Sequence, residues 1–162
     1  MVNLKGLFRQ KIGANLIFSG VLFLVSMSLD FYMTNVGSQG DFIQEANIIG
    51  QLWWQIAGPF RFVEIPVWAV VVLGMAYIIN YKSKFLALVW LNFLALNHFL
   101  GFLTWLPYGT LDFLYSVAKE DWQLVYALSL ISIPTGLTLA LLQTKIKLKW
   151  TNLSRSLGFF IQ

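Results

Sequence analysis

Four long apolar runs set the pattern of this chain: Ala14 to Met33, Phe60 to Tyr81, Phe85 to Leu106 and Gln123 to Leu142, each about 20 residues. At ~1.5 Å per residue such a run crosses ~30 Å of hydrocarbon, so each predicts a transmembrane helix. The connections carry patterns of their own. Between residues 42 and 56, Ile43, Ile49, Leu52, Trp53 and Ile56 fall broadly on one side of a helix, with Gln44, Gln51 and Gln55 elsewhere. That amphipathic segment predicts an interfacial or re-entrant helix over the outer end of the bundle. Gly58-Pro59 ends it and starts helix 2, and Tyr81-Lys82-Ser83-Lys84 is a tight turn that makes helices 2 and 3 antiparallel neighbours. Leu111 to Val117 reads as a short surface helix, and the basic tail after Leu142 as a segment lying on the inner leaflet. The fold class is therefore all-α: one integral membrane domain, residues 1–162, built as a four-helix bundle.

Charge orients that bundle. Lys5, Arg9, Lys11, Lys82, Lys84, Lys145, Lys147, Lys149 and Arg155 all flank helix ends that share one side, which the positive-inside rule makes cytoplasmic along with both termini. Trp53, Trp54, Trp105 and Trp122 on the outer side and Trp150 on the inner side match interfacial belts. Every acid, by contrast, falls in the outer half or the outer loops: Asp30, Asp41, Glu45, Glu64, Asp112, Glu120 and Asp121. Acids contribute little to topology, so this one-sidedness calls for a second explanation, and some of these acids are read as a site.

Composition narrows the chemistry. A mean hydropathy of +0.70 with 11% charged residues is too apolar for a soluble domain of this length. The net charge of +4 sits at helix ends, where it sets orientation and meets anionic lipid, so it does not indicate nucleic-acid binding. The absence of Cys removes thiol, Fe–S and Cys-zinc chemistry, and the single histidine, His98, removes sites needing several imidazoles. The first run follows a basic stretch, as a secretory signal does, but its length and the Ser26-x-Ser28 pair in place of Ala favour an uncleaved helix. No internal repeat is present, so an inverted-repeat transporter is not supported. Gly13 with Gly20, and Gly136 with Ala140, read as packing faces. Pro134 frees a carbonyl one turn earlier, for which Ser129, Ser132 or water are the candidate donors.

The polar residues inside the runs form a constellation. Asn15, Ser19, Ser26, Asp30 and Thr34 recur at spacings that place them along one stripe of helix 1. An ionised carboxylate facing lipid costs at least a few kcal/mol, so Asp30 should point inward, about one turn from the outer end. Arg61, Glu64 and Trp68 share a face of helix 2, and Asn97 and His98 lie about two turns inside helix 3, with Gly101 and Trp105 on the His98 face. Glu45 and Asn47 come from the outer connection. If these converge, Asp30, Glu45, Glu64 and His98 suit a divalent Zn, Mn or Fe ion, supported by Thr34 or Asn47, and a metal ion is the candidate cofactor. The competing arrangement hydrogen-bonds Asp30 to Thr34 and Asn47 and pairs Glu64 with Arg61.

The run Ser28 to Thr34, followed by Gly40 and by Glu45-Ala46-Asn47, resembles the D-x-x-x-T then E-A-N-P signature of a family of small prokaryotic multi-pass membrane proteins, domain of unknown function 5658. Ile48 stands where that family has Pro. The resemblance covers about residues 22 to 80 and carries no known activity. It implies a prokaryotic cell membrane as the setting, and that Asp30, Thr34, Glu45 and Asn47 act as one unit.

Three classes of function fit these residues. The first is a lipid-facing protein with an outer acidic/His pocket that binds a metal or cation and supports catalysis. The second is a non-catalytic membrane-complex subunit or assembly factor, its polar cluster structural and its Trp-rich outer segment meeting a membrane-protein partner. The third is a proton or cation pathway, for which the polar groups of the inner half, Asn15, Ser19, Asn80 and Asn92, look too sparse.

Overall fold

The computed structural model of the protein describes residues 11–37, 52, 55–56, 63–104 and 121–145. These hold four helices long and apolar enough to cross a membrane: α1 Ala14–Gly37, α2 Glu64–Lys82, α3 Lys84–Thr104 and α4 Asp121–Lys145. Among the described residues there is no strand. That follows from the solvent: in hydrocarbon each backbone N–H and C=O must find its partner within its own segment, which a helix alone provides at this length. Helix ends differ from the sequence expectation by up to about a turn, and α2 begins at Glu64 where Phe60 is expected. α1 runs one turn past Met33, and α4 both starts earlier and ends three residues beyond Leu142. The interfacial helix expected over 42–56 lies mostly outside the described residues; Leu52, Gln55 and Ile56 within it are helical and exposed. The segments 111–117 and 146–162 lie outside them as well, as do the side chains of the tryptophans assigned to interfacial belts.

The turn between α2 and α3 is organised by one residue. Ser83 is extended, at φ −153° and ψ 108°, and its N–H donates to the Ile79 carbonyl at 2.8 Å, closing α2. Its hydroxyl accepts the Leu86 N–H at 3.2 Å and its carbonyl accepts the Ala87 N–H at 3.1 Å, opening α3. A serine cap of this kind contributes about 1 kcal/mol. At the start of α1, the Gly13 carbonyl accepts from the Leu16 and Ile17 N–H groups at 3.0 and 3.2 Å.

α3 is the helix around which the others assemble. It packs on α1, α2 and α4, and its largest interface is with α1. Its buried residues, Ala87, Leu88, Leu91, Asn92, Leu94 and Ala95, recur every three to four positions, as helices packed at a shallow angle require. Phe23 and Met27 of α1 and Val72 and Ala76 of α2 complete the apolar core. Trp90 of α3 adds a polar tie, its Nε1–H donating to the Val72 carbonyl at 3.2 Å. Outside this core the exposed surface is apolar: Phe18, Val25, Val70, Ile78, Leu86, Leu130 and Ile133 all face outward. No soluble protein leaves so much apolar surface uncovered, and lipid is the environment that covers it.

The alternating helices segregate charge. Lys11, Lys82, Lys84 and Lys145 stand at one end of the bundle, while Asp30, Glu64 and Asp121 belong to the other half.

Candidate functional site

Asp30 and His98 meet. Asp30 lies two turns inside the end of α1, deeper than expected because α1 continues to Gly37, and His98 lies six residues inside the end of α3. The His98 Nδ1 is 2.8 Å from the Asp30 Oδ2. Trp68 of α2 donates its indole N–H to the His98 Nε2 at 3.3 Å. Indole nitrogen only donates, so Nε2 is the acceptor, and the ring proton of a neutral imidazole is then on Nδ1, directed at Asp30. Three helices are thereby linked through one imidazole. Phe23 and Phe31 lie against the ring, with centroids 5.8 and 6.1 Å away. The Asp30 and His98 side chains are 21% and 18% exposed, and Trp68 is 37% exposed, so the link runs from the bundle interior toward its surface.

A glycine makes the link fit. A Cβ built on Gly101 would lie 2.7 Å from the Asp30 Oδ1 and 3.0 Å from its Oδ2, so the carboxylate rests against bare α3 backbone one turn after His98. Gly101→Ala is therefore expected to displace the Asp30 carboxylate and break its bond to His98 while leaving the helices in place, because the clash is with the end of a side chain. The stability loss should be about 1 kcal/mol, the scale of interhelical hydrogen bonds in membranes. Nitrogen-15 spectra of His98 check it: the Nδ1-protonated tautomer of the parent should be lost, and an unchanged spectrum would refute the expected displacement.

The constellation read from sequence is brought together only in part. Asp30 bonds to His98 and not to Thr34, which is nonetheless buried on the same inward stripe. Asn97 precedes His98 in α3 but does not join the Asp30, His98 and Trp68 chain. Glu64 opens α2 one turn before Trp68 and does not complete a metal set with Asp30 and His98: among the described residues no three His, Cys, Asp or Glu side chains converge. Glu45, Asn47 and Arg61, and with them the expected Arg61 to Glu64 pair, lie outside the described residues. Asp30 and His98 face each other at hydrogen-bond distance.

A second polar node, with Gln143 as an unanticipated member, lies toward the lysine end. Ser19 Oγ donates to Asn92 Oδ1 at 2.8 Å, Asn92 Nδ2 donates to Gln143 Oε1 at 2.8 Å, and Gln143 Nε2 donates back to Ser19 Oγ at 3.1 Å. The three side chains close a ring in which each gives and receives, an arrangement whose members polarise one another. Asn15 joins from α1 by donating to the Gln143 backbone carbonyl. Ser19 and Asn92 are fully buried. The signal for Gln143 was its spacing: Ser132, Gly136, Ala140 and Gln143 fall three or four residues apart on one face of α4, and the first three are buried. Ser132 is not the donor that Pro134 calls for, since its hydroxyl bonds the Leu128 carbonyl at 2.8 Å.

What the fold and these nodes define is a small polytopic membrane protein whose α1–α3 seam carries a polar node at each of two depths, with Phe23, Met27, Leu94 and Ala95 buried between them beside Ser26. The chain matches no family model, no curated protein and no solved structure.

Proposed function

We propose that this protein is a non-catalytic membrane-complex subunit or assembly factor, its transmembrane seam locked by the two polar nodes and its outer segment presented to a membrane-protein partner. The observation that carries this reading is that both nodes spend their hydrogen bonds on neighbouring helices: Asp30 on His98, His98 on Trp68, and Ser19, Asn92 and Gln143 on one another. In lipid such bonds act with close packing to hold helices together, because burial of apolar side chains gives no hydrophobic drive there. The lysine end is cytoplasmic in this reading, by the positive-inside rule, which turns the exposed Leu52 and Ile56 to the outer side.

An acid–base or metal reading rests on a specific feature of the same site. The His98 Nε2 is held only by a 3.3 Å bond from a partly exposed indole, so a substrate or ion that displaces Trp68 gains an imidazole already oriented by a carboxylate. Glu45 is then the candidate further ligand.

One set of variants separates the two. Asp30→Ala and His98→Ala should each destabilise the protein in detergent. The double variant should reveal a coupling of about 0.5–1.5 kcal/mol. Photocrosslinking from position 56 in native membranes should capture a stoichiometric membrane protein. A near-stoichiometric transition metal in the parent, lost in both single variants without loss of stability, would overturn the structural reading in favour of the metal one.

A further inference from the structure

A groove opens between α1 and α2 on the lysine side of the bundle, at the depth of the Ser19, Asn92 and Gln143 node but on another face of α1. It is lined by Ile12, Leu16, Gly20 and Leu24 along α1 and by Leu73 and Tyr77 on α2, with α3 closing its back. Its volume is about 280 Å3. From Ile12 to Leu24 it extends ~18 Å at helical rise, close to the ~15 Å depth of one leaflet's hydrocarbon. Gly20 keeps it open: a Cβ there would sit 3.4 Å from the Leu73 Cδ2, so any larger side chain would project into the space between the helices.

The mouth of the groove is basic. Lys11 immediately precedes Ile12 and is exposed. On α2, Tyr81 follows Tyr77 by one turn on the same face, and the Lys82 ammonium lies 5.6 Å over the Tyr81 ring, with Lys84 just beyond the turn. Among the described residues none of these three lysines pairs with a carboxylate, since the acids there belong to the opposite half of the bundle. We propose that this groove is a binding site for an anionic glycerophospholipid, one acyl chain lying between α1 and α2 and the phosphate held by Lys11, Lys82 and Lys84. Three features select that occupant over a second copy of the chain. The lining is apolar for the depth of one leaflet, the described cations of α1, α2 and α3 stand at the end where a headgroup would be, and the space fits a run of methylenes but not a helix.

The test is native mass spectrometry of the detergent-solubilised protein with added phosphatidylglycerol or phosphatidylcholine. The parent should retain phosphatidylglycerol with a preference of roughly fivefold for each lysine that reaches the phosphate. Neutralising Lys11, Lys82 and Lys84 together to Gln should bring that preference down to the phosphatidylcholine level, and these surface changes leave the core untouched. Gly20→Leu, which fills the groove, should lower retention of both lipids, whereas Gly74→Leu, whose Cβ meets nothing within 4 Å, should lower neither. Equal retention of the two lipids by the parent would overturn the proposal. So would a dimer that Gly20→Leu disperses, which would assign the groove to a second copy.

Discussion

Replacing Gly136 with alanine is expected to destabilise the bundle by about 1–2 kcal/mol, and replacing it with leucine by about 3 kcal/mol or more. A Cβ at this position would lie 2.9 Å from the Phe93 backbone nitrogen and 3.0 Å from its Cα. Those atoms belong to the backbone of the central helix, so no rotamer change relieves the clash and α3 and α4 must separate as units. Alanine is the better helix former by about 1 kcal/mol, and the steric cost has to exceed that gain. The separation would also act on the node beside it. Asn92 immediately precedes Phe93 and bonds to Gln143 of α4 at 2.8 Å, a distance that allows little lengthening. Gly74 is the internal control, because a Cβ there meets nothing within 4 Å and alanine should be neutral or slightly stabilising. Unfolding in mixed micelles titrated with dodecyl sulfate measures both variants. A Gly136→Ala protein as stable as Gly74→Ala would mean that α3 and α4 do not approach this closely.

Gly136 also shows what kind of information a sequence of this class carries. The four spans were legible because the bilayer sets their length and excludes any other backbone arrangement, so hydropathy alone located them to within a turn or so. The inward stripe of α1 was legible for a similar reason: polar residues avoid lipid, and Ser19, Ser26 and Thr34 are indeed buried. The Gly136 and Ala140 pair reads as a packing face, and both residues are buried, Gly136 against the α3 backbone at Phe93. Gly13, read in the same way from its spacing to Gly20, meets nothing within 4 Å. Spacing cannot separate these cases, because a glycine packs only if a neighbouring helix arrives on its side.

Pairing was the part that sequence reached least. The sequence brings Asp30 and His98 together only as co-ligands of a metal ion and offers Thr34 and Asn47 as the hydrogen-bond partners of Asp30, whereas its bond is directly to His98. Which polar group on α3 faces α1 depends on the rotation and relative height of two helices, and periodicity within one helix contains neither. Trp68 was placed with Arg61 and Glu64 on a face of α2, but its bond across to His98 depends on how α2 sits against α3. Gln143 was missed for a different reason: the apolar run ends at Leu142, whereas the helix continues to Lys145 and carries the glutamine back onto the bundle. The lysine half thereby gains a polar cluster, separated from Asp30 and His98 by the buried Phe23, Met27, Leu94 and Ala95 with Ser26 among them.

Asn92→Ala is expected to cost about 2–3 kcal/mol, more than any other single change to the polar nodes. Asn92 is fully buried and is the member of the ring that receives from Ser19 and gives to Gln143. Alanine removes the 2.8 Å acceptor of the Ser19 hydroxyl and the 2.8 Å donor to the Gln143 carbonyl, leaving that hydroxyl as donor and that carbonyl as acceptor only their long 3.4 Å contact with each other. Each group so orphaned costs about 1–3 kcal/mol in a protein interior, reduced in a membrane because the unfolded helices also find partners. Removing all three polar groups should then be less harmful than removing one. The triple variant Ser19→Ala, Asn92→Leu, Gln143→Leu leaves no orphan in the ring and should recover at least half of the loss, since exchanging every partner of a buried polar set for apolar groups is often close to neutral. Unfolding in the same micelles reads the difference. Two outcomes would show that the ring does not hold the lysine end of the bundle together: a single variant that loses less than about 0.5 kcal/mol, below the average interhelical bond in a membrane, or a triple variant no more stable than the single one. If instead the single variant falls and the triple variant recovers, the node stabilises the fold only as a complete set, as the closed ring of donors and acceptors requires.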